Sequence, residues 1–370
     1  MKIKVGINSR IYQEKSSGIQ QYIENLYKHC IALEGNKNFL FLQTKDNKKI
    51  GITKKLEVMN GLLGSVLFDN FLVNKLIKKE KIDVFHGPAG ILPFFKIKGI
   101  KYVLTIHDLS FLIFSKNHSK LFNFYYKYFT KRSLKNADII VADSDNTKKD
   151  IIKYYKIPEK KIETIYLGID SDFLNSPKNL KNKDKYFFSV TTHPVRKNII
   201  GVIKAMAHNK NLKDYKYLIA GLISEDNKLE LEKEIKRNNL EDKVRLVGYV
   251  SKKELITLYT NASFFVFPSF YEGFGFPVLE AMACGCPVIT SNNSSLIEVT
   301  PNKTWLVDPY DISDISNKMD LMVKLSEEAR QLLIKDNLKF VRKFSWDNTA
   351  QAIIQIFNKL QSVERKDTPK

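Results

Sequence analysis

Short apolar segments alternate with longer amphipathic segments along most of the chain. In the first half, apolar runs predict strands at 2–8, 38–43, 83–86, 101–106, 138–142 and 162–166, and the segments between them predict helices near 18–34, 68–80, 119–135 and 145–155. Strands that alternate with helices are typical of βαβ units, which form parallel sheets. The first half of the chain is therefore predicted to be an α/β unit.

The alternation restarts after a polar, lysine-rich segment at 171–185, which we interpret as a linker. The second half predicts strands at 186–190, 216–220, 243–247, 264–267 and 287–290, helices near 197–207, 226–238, 251–260, 277–284 and 312–335, a last helix at 347–362 and a charged, frayed tail at 363–370. Two α/β units in succession, facing each other across a cleft at the carboxyl ends of their strands, would bind a ligand in that cleft.

Composition agrees with a folded two-domain protein. The chain has 370 residues, of which 44% are hydrophobic and 27% charged, a globular composition rather than a disordered one. Three cysteines are too few for a disulfide framework, and no apolar run is long enough to span a membrane. The first residues are too few and too polar for a signal peptide. We therefore expect a cytoplasmic protein.

The net charge of +20 is uneven, because residues 1–170 carry 30 basic and 16 acidic residues, whereas residues 171–370 carry 30 and 24. A basic half can bind nucleic acid or an anionic membrane, or it can reflect a lysine-rich compositional background. The segment SKLFNFYYKYFTKRSLKN at 119–136 places aromatic residues at helical spacing among lysines. Such a helix either lies in a lipid interface or packs its aromatic face against a sheet.

The segment FPSFYEGFGFPVLEAMACG at 267–285 contains the strongest candidate ligand-binding residues. Gly273 and Gly275 lie between a strand and a helix, and Pro277 suits the first turn of that helix. The N-terminus of a helix favours a phosphate group. Glu272 and Glu280 are separated by the turn, so they can contact two parts of one extended ligand. A sugar nucleotide fits this pattern, although a helix entry with two incidental glutamates remains the alternative.

These residues, together with Phe274, Leu279 and Ala281, resemble the E-x7-E signature of retaining glycosyltransferases of family 4. The resemblance implies the GT-B fold, in which the second of two Rossmann-like domains holds the nucleotide. It implies that Glu280 binds ribose and that Glu272 contacts the donor sugar. It also implies substrate contacts along the turn, which comprises Gly273, Phe274, Gly275, Phe276, Pro277, Val278 and Leu279.

A second match is FSVTTHPVRKN at 188–198, a strand followed by adjacent cations. The resemblance places Arg196 and Lys197 against the donor diphosphate. Negative charge builds on the diphosphate as the sugar–phosphate bond breaks, so fixed cations there stabilise the transition state more than the ground state. Without the resemblance, an Arg-Lys pair indicates a solvated loop.

Two further matches lie in the first half. In VLTIHDLSFL at 103–112, His107 ends a predicted strand, and similar loops of mannosyl- and rhamnosyltransferases carry a histidine near the donor sugar. Asp108 then orients a sugar hydroxyl or caps the next turn. In SSGIQQY at 16–22, Gly18 opens the first helix and resembles the family's glycine loop near the phosphate and acceptor.

The resemblance runs from residue 3 to about residue 350, and FSWDNTA at 344–350 resembles the family's late helix, which crosses back to the first domain. We therefore predict an acceptor-binding domain of residues 1–175 plus a helix at 345–370, and a nucleotide-sugar-binding domain of residues 176–344. The pair Asp143 and Asp145 is a D-x-D motif that binds metal in a different glycosyltransferase fold. After a strand, Ser144 or Asp145 is better interpreted as a helix cap, and we predict no metal site.

The predicted function is a retaining, metal-independent glycosyltransferase without a cofactor. The resemblance favours GDP-mannose as donor and a lipid-linked saccharide or polysaccharide as acceptor, as in O-antigen or capsule assembly, with the protein peripheral on the inner face of the cell membrane. Open alternatives are a storage-polysaccharide or sucrose-type synthase with a soluble acceptor, and a catalytically inactive sugar-binding subunit. A nucleic-acid-binding protein is a third alternative, but no nucleic-acid-binding motif supports it.

Overall fold

The structure, a computed structural model, describes residues 3–10, 18–44, 51–57, 61–114, 120–178 and 183–366. The chain divides into two compact units. Unit 1 comprises residues 1–168 and 344–370, and unit 2 comprises residues 169–343. Among the predicted features, residues 16 and 17 of the glycine loop, residues 179–182 of the linker and residues 367–370 of the tail lie outside the described residues.

Unit 1 contains a seven-stranded sheet in which every pairing is parallel. The strands, in the spatial order β3-β2-β1-β4-β5-β6-β7, are β1 (Val5–Asn8), β2 (Phe39–Gln43), β3 (Ile52–Lys55), β4 (Val84–Gly87), β5 (Lys101–Ile106), β6 (Ile139–Ala142) and β7 (Ile162–Thr164). Strands such as β2 and β6 are apolar on both faces and buried, as the central strands of a parallel sheet must be when helices cover both sides.

The helices of the first 168 residues connect these strands. They are α1 (Gly18–Glu34), α2 (Gly61–Leu67), α3 (Val73–Lys79), α4 (Ser110–Ile113), α5 (Lys120–Asn136) and α6 (Asp145–Tyr155). A π-helical turn at Phe68–Leu72 joins α2 to α3, so the helix predicted at 68–80 begins earlier and is interrupted.

Unit 2 contains a six-stranded parallel sheet with the same kind of winding. Its strands, in the order β10-β9-β8-β11-β12-β13, are β8 (Asp184–Val190), β9 (Lys216–Ala220), β10 (Val244–Gly248), β11 (Ala262–Phe267), β12 (Val288–Ser291) and β13 (Leu306–Val307). In the core, the ring of Phe187 stacks on Phe264 and on Tyr217, with centroids 4.8 Å apart in both pairs.

The helices of unit 2 are α7 (Ser171–Leu174), α8 (Ile199–Ala207), α9 (Glu225–Arg237), α10 (Lys252–Asn261), α11 (Phe276–Ala283), α12 (Ile312–Val323) and α13 (Glu327–Val341). The single helix predicted at 312–335 is wrong, because Ser326 accepts a hydrogen bond from the backbone of Ala329 and starts a new helix.

The segment predicted as a linker also contains structure that belongs to unit 2. Phe173 of α7 is buried against the ring of Tyr259, with centroids 6.3 Å apart. Because of this packing, residues 169–175 belong to unit 2, and the boundary between the two units follows Gly168 rather than residue 175.

The last helix, α14 (Trp346–Lys366), belongs to unit 1. Its Trp346 lies directly against Gly168, where an added Cβ would come within 2.2 Å of the Trp346 backbone nitrogen. Thr349 donates its hydroxyl to the carbonyl of Tyr166 at 2.9 Å. Within the ranges that the structure describes, no helix combines the length and the apolar character needed to cross a bilayer.

Candidate active site

The carboxyl ends of β8 and β11 mark the position in unit 2 where the strand order changes direction. β8 leads through α8 to β9 on one side of the sheet, and β11 leads through α11 to β12 on the other side. Loops that leave neighbouring strands in opposite directions open a crevice, where α/β proteins bind ligands. The predicted segments 188–198 and 267–285 contain these two loops, which are residues 191–198 and 268–275.

The turn into α11 requires a glycine. Gly275 caps the helix with a φ of 110°, a conformation that residues with a Cβ rarely adopt. A Cβ there would also lie 2.9 Å from Leu296 and 3.1 Å from Val299. Pro277 lies in the first helical turn, as predicted. The chain is buried from Tyr271 to Gly275 and half-buried at Phe276 and Pro277, so a ligand would reach the helix N-terminus at these last two residues.

Three predicted side chains from the two loops form one cluster. The carboxylate of Glu272 accepts a hydrogen bond from Lys197 Nζ at 2.5 Å and from Arg196 Nη1 at 3.1 Å. The hydroxyl of Ser269 donates to the same carboxylate at 2.6 Å. Phe270 N–H donates to the carbonyl of Arg196 at 2.9 Å, which ties the loops together. We call Arg196, Lys197 and Glu272 the ion cluster.

Within the ion cluster, Lys197 and Glu272 are buried and Arg196 is half-buried, and the two cations and one carboxylate together carry one net positive charge. Glu272 is 6% exposed. Burial alone would raise the pKa of Glu272, but Lys197 and Arg196 outweigh burial and hold the pKa below its ordinary value. The carboxylate is therefore ionised at neutral pH and is a weak base. A buried excess of positive charge favours an anionic ligand.

Glu280 lies on α11 within the same unit. It is 8% exposed, and Tyr259 of α10 donates its hydroxyl to the Glu280 carboxylate at 3.4 Å. Tyr259 is fully buried, and burial followed by the charge of Glu280 raises its pKa well above the ordinary value. Tyr259 is therefore a protonated donor that orients Glu280.

Several residues of the predicted turn face the protein interior. The side chains of Val278 and Leu279 are completely buried. Phe274 is buried with its ring against that of Phe276, at a centroid distance of 5.2 Å. Contacts of these residues with a ligand would therefore use backbone groups. Gly273 is a buried loop residue.

His107 lies at the end of β5 in unit 1, and both of its ring nitrogens are engaged. Nδ1 lies 2.5 Å from the carboxylate of Asp143, and Nε2 lies 2.7 Å from the carbonyl oxygen of Pro88. An ionised Asp143 carboxylate and the Pro88 carbonyl both accept hydrogen bonds, which favours the doubly protonated imidazolium, whereas burial raises the pKa of Asp143 as well. Burial disfavours this charge, but Asp143 and the two hydrogen bonds outweigh burial and raise the pKa of His107. In this arrangement a contact with a sugar would use the C–H edge of the ring.

The other predicted residues of unit 1 have simpler surroundings. Asp108 accepts a hydrogen bond from the Ser110 backbone at 2.9 Å, so its carboxylate bonds the start of the next turn, while its predicted contact with a sugar hydroxyl stays a prediction. Gly18 is the first residue of α1 and is exposed, and an added Cβ would meet nothing within 4 Å. Sterics therefore do not require a glycine at that position.

The D-x-D motif is divided between different partners. Ser144 accepts a hydrogen bond from the backbone of Thr147 and caps α6, as predicted. Asp143 pairs with His107, and Asp145 accepts a hydrogen bond from Thr164 at 2.7 Å. In the part of the chain that the structure describes, no three His, Cys, Asp or Glu side chains are arranged to hold a metal ion.

Sequence reasoning missed three features of these sites. It assigned Glu272 and the two cations to different parts of a ligand, whereas the structure pairs them directly. It did not single out Ser269 or Tyr259, which orient the two glutamates. A prediction of the strand order would have indicated that Glu272 lies near the two cations, because β8 and β11 are neighbours and the loops that follow them lie side by side.

Comparisons with known proteins cover both halves of the chain. A family model described as "Glycosyl transferases group 1" matches residues 170–355, and one described as "Glycosyltransferase Family 4" matches residues 16–173. The chain is 32% identical over 296 residues to O-antigen chain mannosyltransferase B of Escherichia coli, with 77% of this chain and 76% of that relative covered.

A second relative is longer. The serotype-specific mannosyltransferase WbdA of Escherichia coli is 30% identical over 293 residues, which are 72% of this chain but only 34% of that relative. Among solved structures, Alr3699/HepE of Anabaena, crystallised with UDP and glucose, superposes with a TM-score of 0.75 at 16% identity, covering 96% of this chain and 100% of that chain. This likeness confirms the predicted GT-B fold class.

Proposed function

The chain belongs to the glycosyl transferases group 1 family and is a glycosyltransferase, and on that premise we propose that it moves a hexose, with mannose favoured, from a nucleotide-sugar to a lipid-linked or polysaccharide acceptor. The observation that carries the proposal is the ion cluster at the N-terminus of α11. Mannose is favoured because the relatives described above are named mannosyltransferases. The name of O-antigen chain mannosyltransferase B also supports a role in O-antigen synthesis.

The donor diphosphate is the ligand that best fits the ion cluster. Arg196 and Lys197 bind Glu272 in the loop that leads into α11, so we propose that their positive charges and the helix dipole act on the same ligand. When the bond between the sugar and the phosphate breaks, its electrons remain on the leaving phosphate oxygen. The cations stabilise that developing charge, which is the role a metal ion has in other transferases. We therefore propose that the reaction needs no metal.

The two glutamates are assigned to the ends of the donor. Glu280, oriented by Tyr259, accepts hydrogen bonds from ribose hydroxyls. Glu272 accepts a hydrogen bond from the transferred sugar. The lowered pKa of Glu272 makes it a poor base and a poor nucleophile. We propose that the acceptor oxygen instead bonds to the anomeric carbon on the face from which the diphosphate leaves, and that the leaving phosphate takes the acceptor proton. The anomeric configuration is then retained.

The acceptor is assigned to unit 1. A small cavity beyond the carboxyl end of β1 is lined by the apolar residues Ala89 and Ile91 and by polar side chains, namely Asn8, Arg10, Ser65, Asp69, Tyr125 and Tyr126. Arg10 donates to Asp69 at 3.0 and 2.8 Å, and Asn8 donates to it at 2.9 Å. A rigid array of donors and acceptors beside two tyrosines suits the hydroxyls and apolar face of a saccharide.

A thermal-shift screen of nucleotide-sugars, with and without a chelator, tests the donor. We expect GDP-mannose to raise the melting temperature most, and we expect EDTA to leave the shift unchanged. Transfer of radiolabelled mannose to a lipid-linked saccharide, with the anomer assigned by NMR, then tests the reaction and its stereochemistry. A shift that needs a divalent cation, or a product with inverted configuration, would contradict the proposed mechanism.

A further inference from the structure

Helix α5 presents aromatic side chains to solvent on the surface of unit 1. Phe124 is 67% exposed and Tyr128 is 48% exposed, and their rings stack at 6.1 Å with an angle of 10° between their planes. Tyr125 and Phe129 of the same helix are only half-buried. The sequence left open whether the aromatic residues of this helix face a sheet or an exterior partner, and Phe124 and Tyr128 face outward.

The exposed aromatic surface continues beyond α5. The ring of Phe129 contacts that of Tyr128 at 5.3 Å and that of Phe94 at 6.4 Å. Phe94 in turn contacts Phe71 at 5.6 Å and Phe95 at 4.9 Å. Phe71 and Phe95 are 40% and 59% exposed. We call the four exposed residues, Phe71, Phe95, Phe124 and Tyr128, the aromatic patch.

The surroundings of the aromatic patch are basic. Helix α5 carries five basic and no acidic residues. Lys127 and Lys131 are exposed beside Phe124 and Tyr128 in the helix sequence. Lys96 and Lys98 follow Phe95 and are also exposed, and Lys96 forms an ion pair with Asp138 at 3.1 Å, so Lys98 adds the charge there. Arg132 lies over the ring of Phe94, 3.9 Å from its centroid, and donates to the Phe94 carbonyl at 3.0 Å. The patch therefore sits within a region of positive charge.

We propose that the aromatic patch and the lysines of α5 dock unit 1 onto an anionic lipid bilayer. Aromatic rings partition to the interface between headgroups and acyl chains, and lysines beside them are attracted to anionic headgroups. A protein partner would have to cover the same aromatic rings with a strongly acidic surface. The inference rests on the proposed function, since a lipid-linked acceptor requires the enzyme to work at a membrane. Helix α5 joins the two roles, because Tyr125 and Tyr126 line the acceptor cavity.

Flotation with vesicles of phosphatidylcholine, with or without phosphatidylglycerol, tests the docking without substrates. We expect the full chain to float with the anionic vesicles at low salt and to be released at high salt, because salt screens charge attraction. The double variant Lys127→Glu/Lys131→Glu should lose binding. The matched control is Lys149→Glu/Lys153→Glu, which makes the same charge change at the same spacing on exposed positions of α6.

A second pair of variants separates aromatic insertion from charge. Phe124→Ser/Tyr128→Ser should weaken partitioning to anionic vesicles by about tenfold or more, because apolar area is no longer removed from water. Leu33→Ser/Tyr154→Ser, at exposed positions of α1 and α6, should bind like the wild type. All variants should hydrolyse or bind the nucleotide-sugar like the wild type, so a failure of docking is distinct from a failure of the proposed function.

Three results would overturn the inference. One is an absence of flotation at low salt. Another is an equal loss of vesicle binding in Lys127→Glu/Lys131→Glu and in the control Lys149→Glu/Lys153→Glu, which would mean that the vesicles attract the positive charge of unit 1 as a whole. The third is a concentration-dependent dimer that Phe124→Ser/Tyr128→Ser abolishes while vesicle binding persists, which would assign the patch to self-association.

Discussion

The substitution Glu272→Gln should tighten the binding of a nucleoside diphosphate while slowing sugar transfer. In the ion cluster the Glu272 carboxylate occupies the two cations that we assign to the donor diphosphate. A diphosphate must therefore compete with Glu272 for Arg196 and Lys197. Glutamine keeps the size of the side chain and its hydrogen-bonding oxygen but removes the competing charge.

The magnitude follows from the burial of the cluster. Removing one partner of a buried ion pair costs about 3–5 kcal/mol, because the remaining charge is uncompensated. Glutamine still accepts a hydrogen bond, so we expect the ligand-free variant to lose about 2–3 kcal/mol of stability. A bound diphosphate restores the missing negative charge. If binding of the diphosphate recovers half or more of the lost stability, the affinity of the variant for the diphosphate rises by roughly tenfold, since 1.4 kcal/mol corresponds to a factor of ten.

Titration calorimetry with GDP and UDP measures the affinity, and single-turnover transfer measures the rate. We expect the rate to fall by about tenfold to a hundredfold, because a hydrogen bond to a charged group contributes about 1.5–3 kcal/mol. Glu230→Gln, at an exposed position of α9, is the matched control and should change neither quantity. A folded Glu272→Gln protein that binds nucleoside diphosphate more weakly than the wild type would refute the competition between carboxylate and diphosphate.

Three further predictions concern single positions. Glu280→Ala should raise the dissociation constant of the donor by about tenfold or more with little change in kcat, because the lost charged hydrogen bond is present both before and during transfer. Calorimetry measures the dissociation constant and steady-state kinetics measure kcat, and an unchanged dissociation constant would contradict the ribose assignment. Gly275→Ala should lower the free energy of unfolding by about 1–3 kcal/mol in urea denaturation, because alanine would have to adopt a left-handed backbone conformation with its Cβ against Leu296. An equally stable variant would exclude this strain. Burial, together with the nearby charge of His107, lowers the pKa of His86 to about 3, whereas the pKa of His107 is raised above the ordinary 6.5. The His86 contribution to stability is lost as pH falls from 6.5 towards 3, and that of His107 is lost as pH rises through its folded-state pKa, so the combined contribution of these two histidines should be largest near pH 6.5. Urea denaturation across pH checks this, and a His107→Asn variant that still loses stability above that pH as the wild type does would contradict it.

The alternation of apolar and amphipathic segments was sufficient to predict two parallel α/β sheets, because buried parallel strands have few other ways to be covered. It missed β3, whose sequence Ile-Thr-Lys-Lys is half polar because an edge strand is only partly buried. It also missed the two-residue strand β13, which is too short to show a pattern. The break between α12 and α13 did have a signal, since Ser326 precedes two acidic residues that suit a helix start.

For the candidate site, the sequence indicated candidate residues but not which of them are in contact. Glu272 is about 75 residues from Arg196 and Lys197 in the sequence. Only the neighbouring positions of β8 and β11 bring these residues together. The same limit applies to His107 and Asp143, which follow the paired strands β5 and β6. Asp143 belongs to the D-x-D motif, for which we predict a helix cap and no metal site, and its contact with His107 could not be seen from the sequence.

A crystal structure of the protein with a bound nucleoside diphosphate tests the central claim most directly. We predict that phosphate oxygens lie within hydrogen-bonding distance of Arg196 and Lys197 and of the backbone N–H of Phe276, with the Glu272 carboxylate moved away from at least one cation. A diphosphate bound elsewhere in unit 2, with the three side chains of the ion cluster still joined as they are here, would contradict it.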